Sequence, residues 1–131
     1  MRHLLLTFSL ILLALAGCGG QDSAETLPQP QNITADTLAD MLENKSAMLI
    51  NVHIPYAGEI EQTDAFIRFD NILNSAELPA NRDTPLILYC QSGNMSGQAA
   101  NTLVEAGYTN VSNLEGGMLA WERAGYERII K

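Results

Sequence analysis

Apolar and polar positions along the chain follow two different patterns from residue 33 onward. Short, continuous apolar runs at 47–52 and 85–89 are typical of strands that are covered on both faces. Segments 33–45 and 96–107 instead place apolar residues three or four positions apart, which is typical of amphipathic helices. Strands that alternate with helices indicate a mostly parallel central sheet with helices on both faces. The sequence therefore predicts an α/β fold.

The boundaries of these elements follow from capping and breaking residues. Thr34 is expected to cap the first helix, and Asp70 is expected to cap a short helix that follows it directly. Gly107 and Gly125 are expected to end the two later helices. Residues 53–64 are predicted to form a long loop. The remaining predicted elements are a strand at 65–69, a strand at 110–116 and a helix at 117–125.

The N-terminus has the pattern of a secretory signal. Arg2 precedes an apolar run from Leu4 to Ala16 that ends at small residues. A membrane span needs about 20 apolar residues, so this run is too short to be a permanent anchor. The tail "LAGC" resembles the lipobox of bacterial lipoproteins, which implies cleavage after residue 17 and lipidation of Cys18. The alternative is an ordinary signal peptide that has a cysteine near its end.

The lipobox resemblance also implies a location. Gly19, rather than aspartate, follows the modified cysteine, which resembles the outer-membrane sorting signal of Gram-negative lipoproteins. We therefore expect an exported, lipid-anchored protein that faces the periplasm if the source is Gram-negative. Residues 18–32, with two prolines and three glutamines after Gly20, are predicted to form a flexible tether. Residues 33–131 are enough for one compact domain.

The charge balance excludes some partners. The chain has 7 Lys and Arg against 15 Asp and Glu, and removing residues 1–17 takes away Arg2 and leaves a net charge of −9. An acidic domain repels phosphate backbones and anionic lipid headgroups, so nucleic acid is not an expected partner. Contact with the membrane is expected through the N-terminal lipid alone.

The cysteine and histidine content restricts the chemistry further. Once Cys18 is lipidated, Cys90 is the only thiol in a compartment where disulfides form, and it has neither a bridge partner nor a second cysteine in a C-x-x-C pair. His53 is then the only histidine, so we expect no metal site and no metal cofactor. A single exported thiol is either buried and inert or present in order to react.

The segment "CQSGNMS", residues 90–96, joins the buried run 85–89 to the helix that follows. Small residues at such a junction let successive backbone N–H groups point inward, and the positive end of the helix dipole lies behind them. This arrangement favours an anion such as a thiolate or a persulfide, Cys–S–S⁻. The alternative is a cysteine that packs as a small hydrophobic side chain.

Three motifs in this order resemble those of single-domain rhodaneses, a family of sulfurtransferases. The loop "CQSGNMS" fits the family pattern C-x-x-G-x-x-[ST] after an apolar strand. The segments "LINVHIPYAGEI" and "NVSNLEGGMLAWERAGY" resemble the early strand and loop of the family and its closing Gly-Gly and Ala-Trp pattern. The resemblance covers residues from about 33 to 129, and it implies a rhodanese-like fold.

The resemblance also implies roles for individual residues. Cys90 would be the nucleophile that carries sulfur from a donor, such as thiosulfate or a persulfide, to a thiol or cyanide, and no cofactor is expected. Donor and acceptor would be small molecules or would be carried by a protein. Ser96 would cap the helix and add a donor to the site, and capping alone is the alternative. The implied persulfide- and substrate-binding loop consists of Gln91, Ser92, Gly93, Asn94, Met95 and Ser96.

This chain departs from the family pattern in its charges. Many members carry arginine in the cysteine loop, which has none here, and many read D-x-R where this chain has Asn51, Val52 and His53. We therefore expect weak binding of thiosulfate and better use of a neutral or protein-borne donor. His53 is a candidate accessory residue that would partly replace the missing charge, and a simple surface histidine is the alternative.

Two other functions are compatible with a cradled cysteine. Cysteine phosphatases and arsenate reductases need an arginine six positions after the cysteine, and Ser96 occupies that position here, so their chemistry is disfavoured. A non-catalytic rhodanese-like module at the membrane, which binds a partner or senses oxidants through Cys90, stays open as the alternative to sulfur transfer.

Overall fold

The computed structural model describes residues 19–20 and 26–131. The predicted signal peptide, the lipidation site Cys18 and residues 21–25 of the predicted tether lie outside the described residues. The strands are β1 Gln31–Ile33, β2 Met48–Asn51, β3 Glu59–Ile60, β4 Ala65–Phe66, β5 Leu86–Tyr89, β6 Val111–Leu114 and β7 Arg128–Ile129. The helices are α1 Ala35–Glu43, α2 Asn94–Glu105, α3 Gly117–Arg123 and a 3₁₀ helix, Phe69–Asn74.

Five of these strands form one parallel sheet in the order β1-β6-β5-β2-β4. The register places Leu88 of β5 between Ile50 of β2 and Asn113 of β6. Strands β3 and β7 form a separate antiparallel pair. Because all five strands run the same way, the loops that follow β2, β4, β5 and β6 leave the sheet at one edge.

Helices cover both faces of the sheet, as the sequence predicts. Successive strand residues point to opposite faces, so Leu49 and Ile87 pack on one side and Ile50 and Leu88 on the other. The first side is covered by α1 and α3, and the second by the 3₁₀ helix and α2. The helical residues buried in these two cores are Ala35, Leu38, Met118 and Trp121 on the first side, and Ile72, Ala99, Ala100 and Leu103 on the second.

The capping predictions have mixed outcomes. The Thr34 hydroxyl accepts the Thr37 N–H at 3.2 Å, which confirms Thr34 as the cap of α1. Gly107 and Gly125 follow α2 and α3 with φ of 96° each, as expected of helix-ending glycines. Asp70 is not a cap, which corrects the prediction. Its carboxylate instead accepts hydrogen bonds from the Arg68 guanidinium, and the 3₁₀ helix begins at Phe69 without a side-chain cap.

Several strands differ from the prediction because they are very short. The strand predicted at 65–69 ends at Phe66, and the predicted loop 53–64 contains β3, which pairs with β7. Gln31 and Asn32, assigned to the tether, lie in β1 and pair with β6. Regular structure therefore begins two residues before the predicted boundary at residue 33. Within the described part of the chain, no helix is both long and apolar enough to cross a membrane.

Candidate active site

Cys90 lies at the carboxyl edge of the parallel sheet, between the end of β5 and the start of α2. The neighbouring strand β2 continues beside it, because the Val52 N–H donates to the Tyr89 carbonyl at 2.9 Å. The thiol is free, and the residue is only 1% exposed. Clefts at the carboxyl edge of an α/β sheet are the usual place for ligands, so the position predicted for Cys90 is confirmed.

Two donors point at the Cys90 sulfur. The Gly93 N–H donates to Sγ at 3.0 Å, and the Ser96 hydroxyl donates to Sγ at 3.4 Å. Helix α2 begins at Asn94, and its N-cap is Gly93, with φ of 93°. Ser96 therefore lies in the first helical turn and does not cap the helix, which corrects the capping prediction, while its hydroxyl does donate to the sulfur. The first-turn N–H groups of α2 have no partner within the helix, and they leave a positive end beside the sulfur.

The other side of the Cys90 thiol is apolar. On the sheet it packs in the same core as Val52 and Ile67, which are buried. Met95 and Phe69 are partly buried against that core. The sulfur thus lies between hydrogen-bond donors on the loop side and hydrocarbon on the sheet side. This position suits an anion that is small and held by few donors.

A pair of glycines at the start of α3 makes room for the cysteine loop. The Met118 and Leu119 N–H groups donate to the carbonyls of Cys90 and Gln91 at 2.9 and 3.0 Å. A Cβ on Gly117, whose φ is 58°, would lie 2.7 Å from the carbonyl carbon of Gln91. A Cβ on Gly93 would lie 3.1 Å from the backbone nitrogen of Gly116. The closing Gly-Gly motif therefore allows α3 to contact the loop backbone to backbone.

The remaining loop side chains lie at the rim. Ser92 and Asn94 are exposed, and Gln91 is partly exposed. Asn94 accepts a hydrogen bond from the Gln98 amide at 2.9 Å, so its side-chain oxygen is already paired within α2. These side chains are neutral, so the cysteine loop itself brings no charge to the rim.

His53 is held in the loop that follows β2. The buried Asn51 side chain accepts the His53 backbone N–H at 3.1 Å and donates to the Gly58 carbonyl at 3.0 Å. Burial lowers the pKa of His53, and the nearby positive charge of Arg128 lowers it further. The expectation that His53 replaces a missing positive charge is therefore disfavoured near neutral pH. Among the described residues, its ring makes no hydrogen bond to the cysteine loop.

Two arginines outside the predicted motifs lie near this edge of the sheet, and each pairs with a carboxylate. Arg68, just after β4, donates to Asp70 at 2.8 Å. Arg128, whose charge reaches His53, donates to Glu122 at 2.6 Å. These contacts join residues close in sequence, but nothing in the pattern indicates that they form. In the described part of the chain, no three His, Cys, Asp or Glu side chains are grouped to hold a metal ion.

The fold and the loop together define an α/β protein with one thiol held at the start of a helix. Residues 34–124 match the family model of the rhodanese-like domain. The chain therefore belongs to the rhodanese-like domain family. The family-level prediction from the sequence is confirmed.

Two curated relatives illustrate the relationship. An uncharacterized protein of Synechocystis sp. is 38% identical over 95 residues, which cover 71% of this chain and 52% of the relative. A sulfurtransferase of Allochromatium vinosum is 43% identical over 53 residues, which cover 40% of this chain and 48% of the relative. The matches thus span about half the length of these relatives.

Solved structures share the fold. A rhodanese-related protein from Thermoplasma volcanium has 23% identity and a TM-score of 0.65, with 77% of this chain and 99% of that chain covered. A rhodanese-like domain protein from Staphylococcus aureus has 29% identity and a TM-score of 0.63, with 77% and 98% covered. The predicted α/β architecture is thus that of known rhodanese-like proteins.

Proposed function

We propose that this protein is a sulfurtransferase that carries a sulfane sulfur on Cys90 as a persulfide. The observation that carries the proposal is the pair of donors on the Cys90 sulfur, the Gly93 N–H and the Ser96 hydroxyl, at the start of α2. Membership of the rhodanese-like family and a relative named as a sulfurtransferase support it.

The reaction has two displacement steps that need no external oxidant. The Cys90 thiolate attacks the outer sulfur of thiosulfate, the S–S bond of the donor breaks, and sulfite leaves with the electron pair. The product is Cys90–S–S⁻, whose terminal sulfur carries the negative charge. An acceptor thiolate or cyanide then attacks that sulfur, forms an acceptor persulfide or thiocyanate, and releases the Cys90 thiolate. The Gly93 and Ser96 donors stabilise the Cys90 thiolate before the first step and again as it is released in the second.

The charges around the site favour a particular class of donor. The loop side chains are neutral, and Arg68 and Arg128 at this edge are paired with carboxylates. A doubly charged donor such as thiosulfate gains little from this environment, since each of these arginines would have to leave its carboxylate to bind the sulfonate end. A persulfide of a small thiol or of a protein carries less charge and needs fewer cations. We therefore propose such a persulfide as the better donor.

The cellular location is part of the proposal. Cleavage after residue 17 and lipidation of Cys18 would tether the domain to a membrane, facing the periplasm in a Gram-negative cell. Donor and acceptor would then be molecules or proteins of that compartment, and nucleic acid would not be a partner. Incorporation of a labelled fatty acid into the wild-type chain, and its loss in Cys18→Ser, tests this part separately.

One observation favours a second function. Cys90 is 1% exposed and packs against hydrocarbon, as an inert cysteine does. A rhodanese-like module that binds a partner and does not use its thiol would fit that burial. The rate of Cys90 alkylation across pH separates the two functions. Fast labelling below neutral pH supports a thiolate, whereas slow labelling throughout supports an inert core residue.

Intact-mass measurement tests the main proposal. The chain starting after Cys18 is incubated with thiosulfate and, separately, with cysteine persulfide. We expect a gain of one sulfur atom that a reductant reverses and that Cys90→Ser abolishes. No gain with either donor, while Cys90 still alkylates readily, would overturn sulfur transfer in favour of the binding or sensing function.

A further inference from the structure

The loop between β2 and β3, residues 53–58, is held by contacts from three directions. From the sheet, Asn51 accepts the His53 N–H and donates to the Gly58 carbonyl. At the far end of the loop, the Tyr89 hydroxyl accepts the Ile60 N–H at 3.0 Å. Since Tyr89 directly precedes Cys90, the loop is attached to the strand that carries the thiol.

The third set of contacts comes from the C-terminal strand β7. The Arg128 Nη1 donates to the Ala57 carbonyl at 3.1 Å, and its Nε and Nη2 donate to both carboxylate oxygens of Glu122 at 3.0 and 2.6 Å. The arginine stem lies directly on Gly58, where a Cβ would approach Arg128 Cδ to 2.7 Å. One side chain thus joins the loop, β7 and α3, and the bidentate pair with Glu122 fixes its orientation.

We propose that Arg128 is a positioning residue for the reaction at Cys90: it clamps residues 53–58, the segment that directly follows Val52 beside the thiol. This inference rests on the proposed function. The loop leaves β2 at Val52, whose N–H donates to the Tyr89 carbonyl, so a shift of the loop moves the wall next to Cys90. Shortening the Arg128 side chain would remove three contacts that this side chain makes. These are the hydrogen bond to the Ala57 carbonyl, the ion pair with Glu122 and the packing of the arginine stem on Gly58.

The clamp also has an electrostatic effect on the loop. Arg128 is the charged side chain that acts on the His53 ring, and together with burial it lowers the pKa of His53. The neighbouring charges belong to Glu122, which pairs with Arg128, and to Glu59 of β3, which pairs with Lys131 at 2.5 Å. A clamped loop therefore holds the pKa of the His53 imidazole below its ordinary value. A released loop would expose His53 and remove the repulsion, so both changes would raise its pKa.

Two substitutions of Arg128 and a matched control test the clamp in the full chain in detergent micelles. Arg128→Met keeps most of the stem and removes the charge and the hydrogen bonds. Arg128→Lys keeps the charge but cannot bond Ala57 and both oxygens of Glu122 together. Arg82→Met is the control, because the Arg82 stem lies over Gly107 in a similar way, and Arg82 precedes β5 at the opposite edge of the sheet.

Two readouts are measured on each variant. One is the rate of sulfur gain at Cys90 from cysteine persulfide. The other is the NMR titration of His53, identified by its loss in His53→Gln. We expect Arg128→Met to slow sulfur gain roughly tenfold or more, because small misplacements near reacting atoms have effects of this size. It should also shift the His53 titration to higher pH. Arg128→Lys should restore the titration and only part of the rate, and Arg82→Met should leave both within twofold of wild type.

The outcomes of this experiment separate a failure of the Arg128 clamp from a failure of the proposed function. An unchanged rate and titration in Arg128→Met, or equal effects in Arg82→Met, would show that Arg128 does not position the loop. If Arg128→Met fails to fold, Arg128→Lys supplies the test, since a normal rate in that variant would exclude the need for the bidentate clamp. If the wild type gains no sulfur, the proposed function fails and the clamp has no role in catalysis. A sulfur gain that is insensitive to Arg128 refutes the clamp alone.

Discussion

Replacing Gly117 by alanine should destabilise the protein more than the same replacement at a glycine with open space around it. The new Cβ would lie 2.7 Å from the carbonyl carbon of Gln91 and would also overlap the Cys90 carbonyl oxygen. Because these atoms are backbone, they can move away only if α3 separates from the cysteine loop. The hydrogen bonds from Met118 and Leu119 to the loop carbonyls would then be broken.

The magnitude follows from three contributions at Gly117. A non-glycine residue at a positive φ costs about 1–2 kcal/mol. Each lost backbone hydrogen bond costs about 0.5–1.5 kcal/mol, or more if its groups stay buried without partners. The positive φ and the two lost hydrogen bonds together predict that Gly117→Ala lowers the free energy of unfolding by about 2–5 kcal/mol.

Gly125→Ala is the matched control for Gly117→Ala. Gly125 also has a positive φ, 96°, but a Cβ there would meet no atom within 4 Å. The Gly125→Ala variant should therefore lose about 1–2 kcal/mol of its free energy of unfolding, from the backbone conformation alone. Urea unfolding of both variants measures the difference, with sulfur gain at Cys90 as a second readout. If Gly117→Ala is within about 1 kcal/mol of Gly125→Ala, the packing between α3 and the cysteine loop does not support the site as described.

Three further predictions concern single side chains. Asn51→Asp removes the amide donor to the Gly58 carbonyl and should destabilise the fold by about 1–3 kcal/mol at pH 7. Urea unfolding should show a smaller loss of stability near pH 4, about the ordinary pKa of an aspartate, because the introduced carboxyl group is then partly protonated and donates again. An equal loss of stability at pH 4 and pH 7 would contradict this reasoning. Burial raises the pKa of Tyr89 to about 12, above the unfolded value of about 10. The fold should therefore lose about 2–3 kcal/mol as pH rises between these values. Tyr89→Phe should remove that alkaline loss, and an unchanged pH profile would refute it. Ser96→Ala should slow sulfur gain at Cys90 about tenfold or more while unfolding shifts by less than about 1 kcal/mol, whereas an unaffected rate would exclude the hydroxyl from the site.

Local signals in the sequence predicted local structure well. The cap at Thr34 and the glycine at Gly107 depend on residues within one turn of the helix, and both behave as expected. Cys90 follows a buried strand directly, so its place at the carboxyl edge follows from the order of the elements. The Asp70 cap failed because Arg68, two residues away, competes for the carboxylate.

Contacts between distant segments could not be read from the sequence. Position 117 needs a glycine because the backbone of Gln91, 26 positions earlier, leaves no room for a Cβ. Only the folded chain brings these two positions together. The resemblance to rhodaneses placed the glycine pair in a motif but did not explain it. Strands β3 and β7 have two residues each, too few for an alternating pattern, and they exist because they pair with each other.

The hydrogen-bond donors at the Cys90 sulfur could not be identified from the sequence alone either. The sequence predicted that Ser96 caps the helix and left open whether its hydroxyl also donates to the site. Gly93 takes the cap position with a positive φ, which leaves the Ser96 hydroxyl free to point at Cys90. Its roles in sulfur transfer, like those of the other loop residues, stay predictions.

The central claim is that one sulfur atom passes through Cys90, and an isotope chase measures this directly. Thiosulfate or cysteine persulfide with ³⁴S in the outer position loads the protein, free donor is removed, and a thiol acceptor is added for a single turnover. We predict that the label leaves Cys90 and appears in the acceptor persulfide in equal amount, and that Cys90→Ser passes none. Label that stays on Cys90, or that reaches the acceptor equally in Cys90→Ser, would contradict transfer through this cysteine.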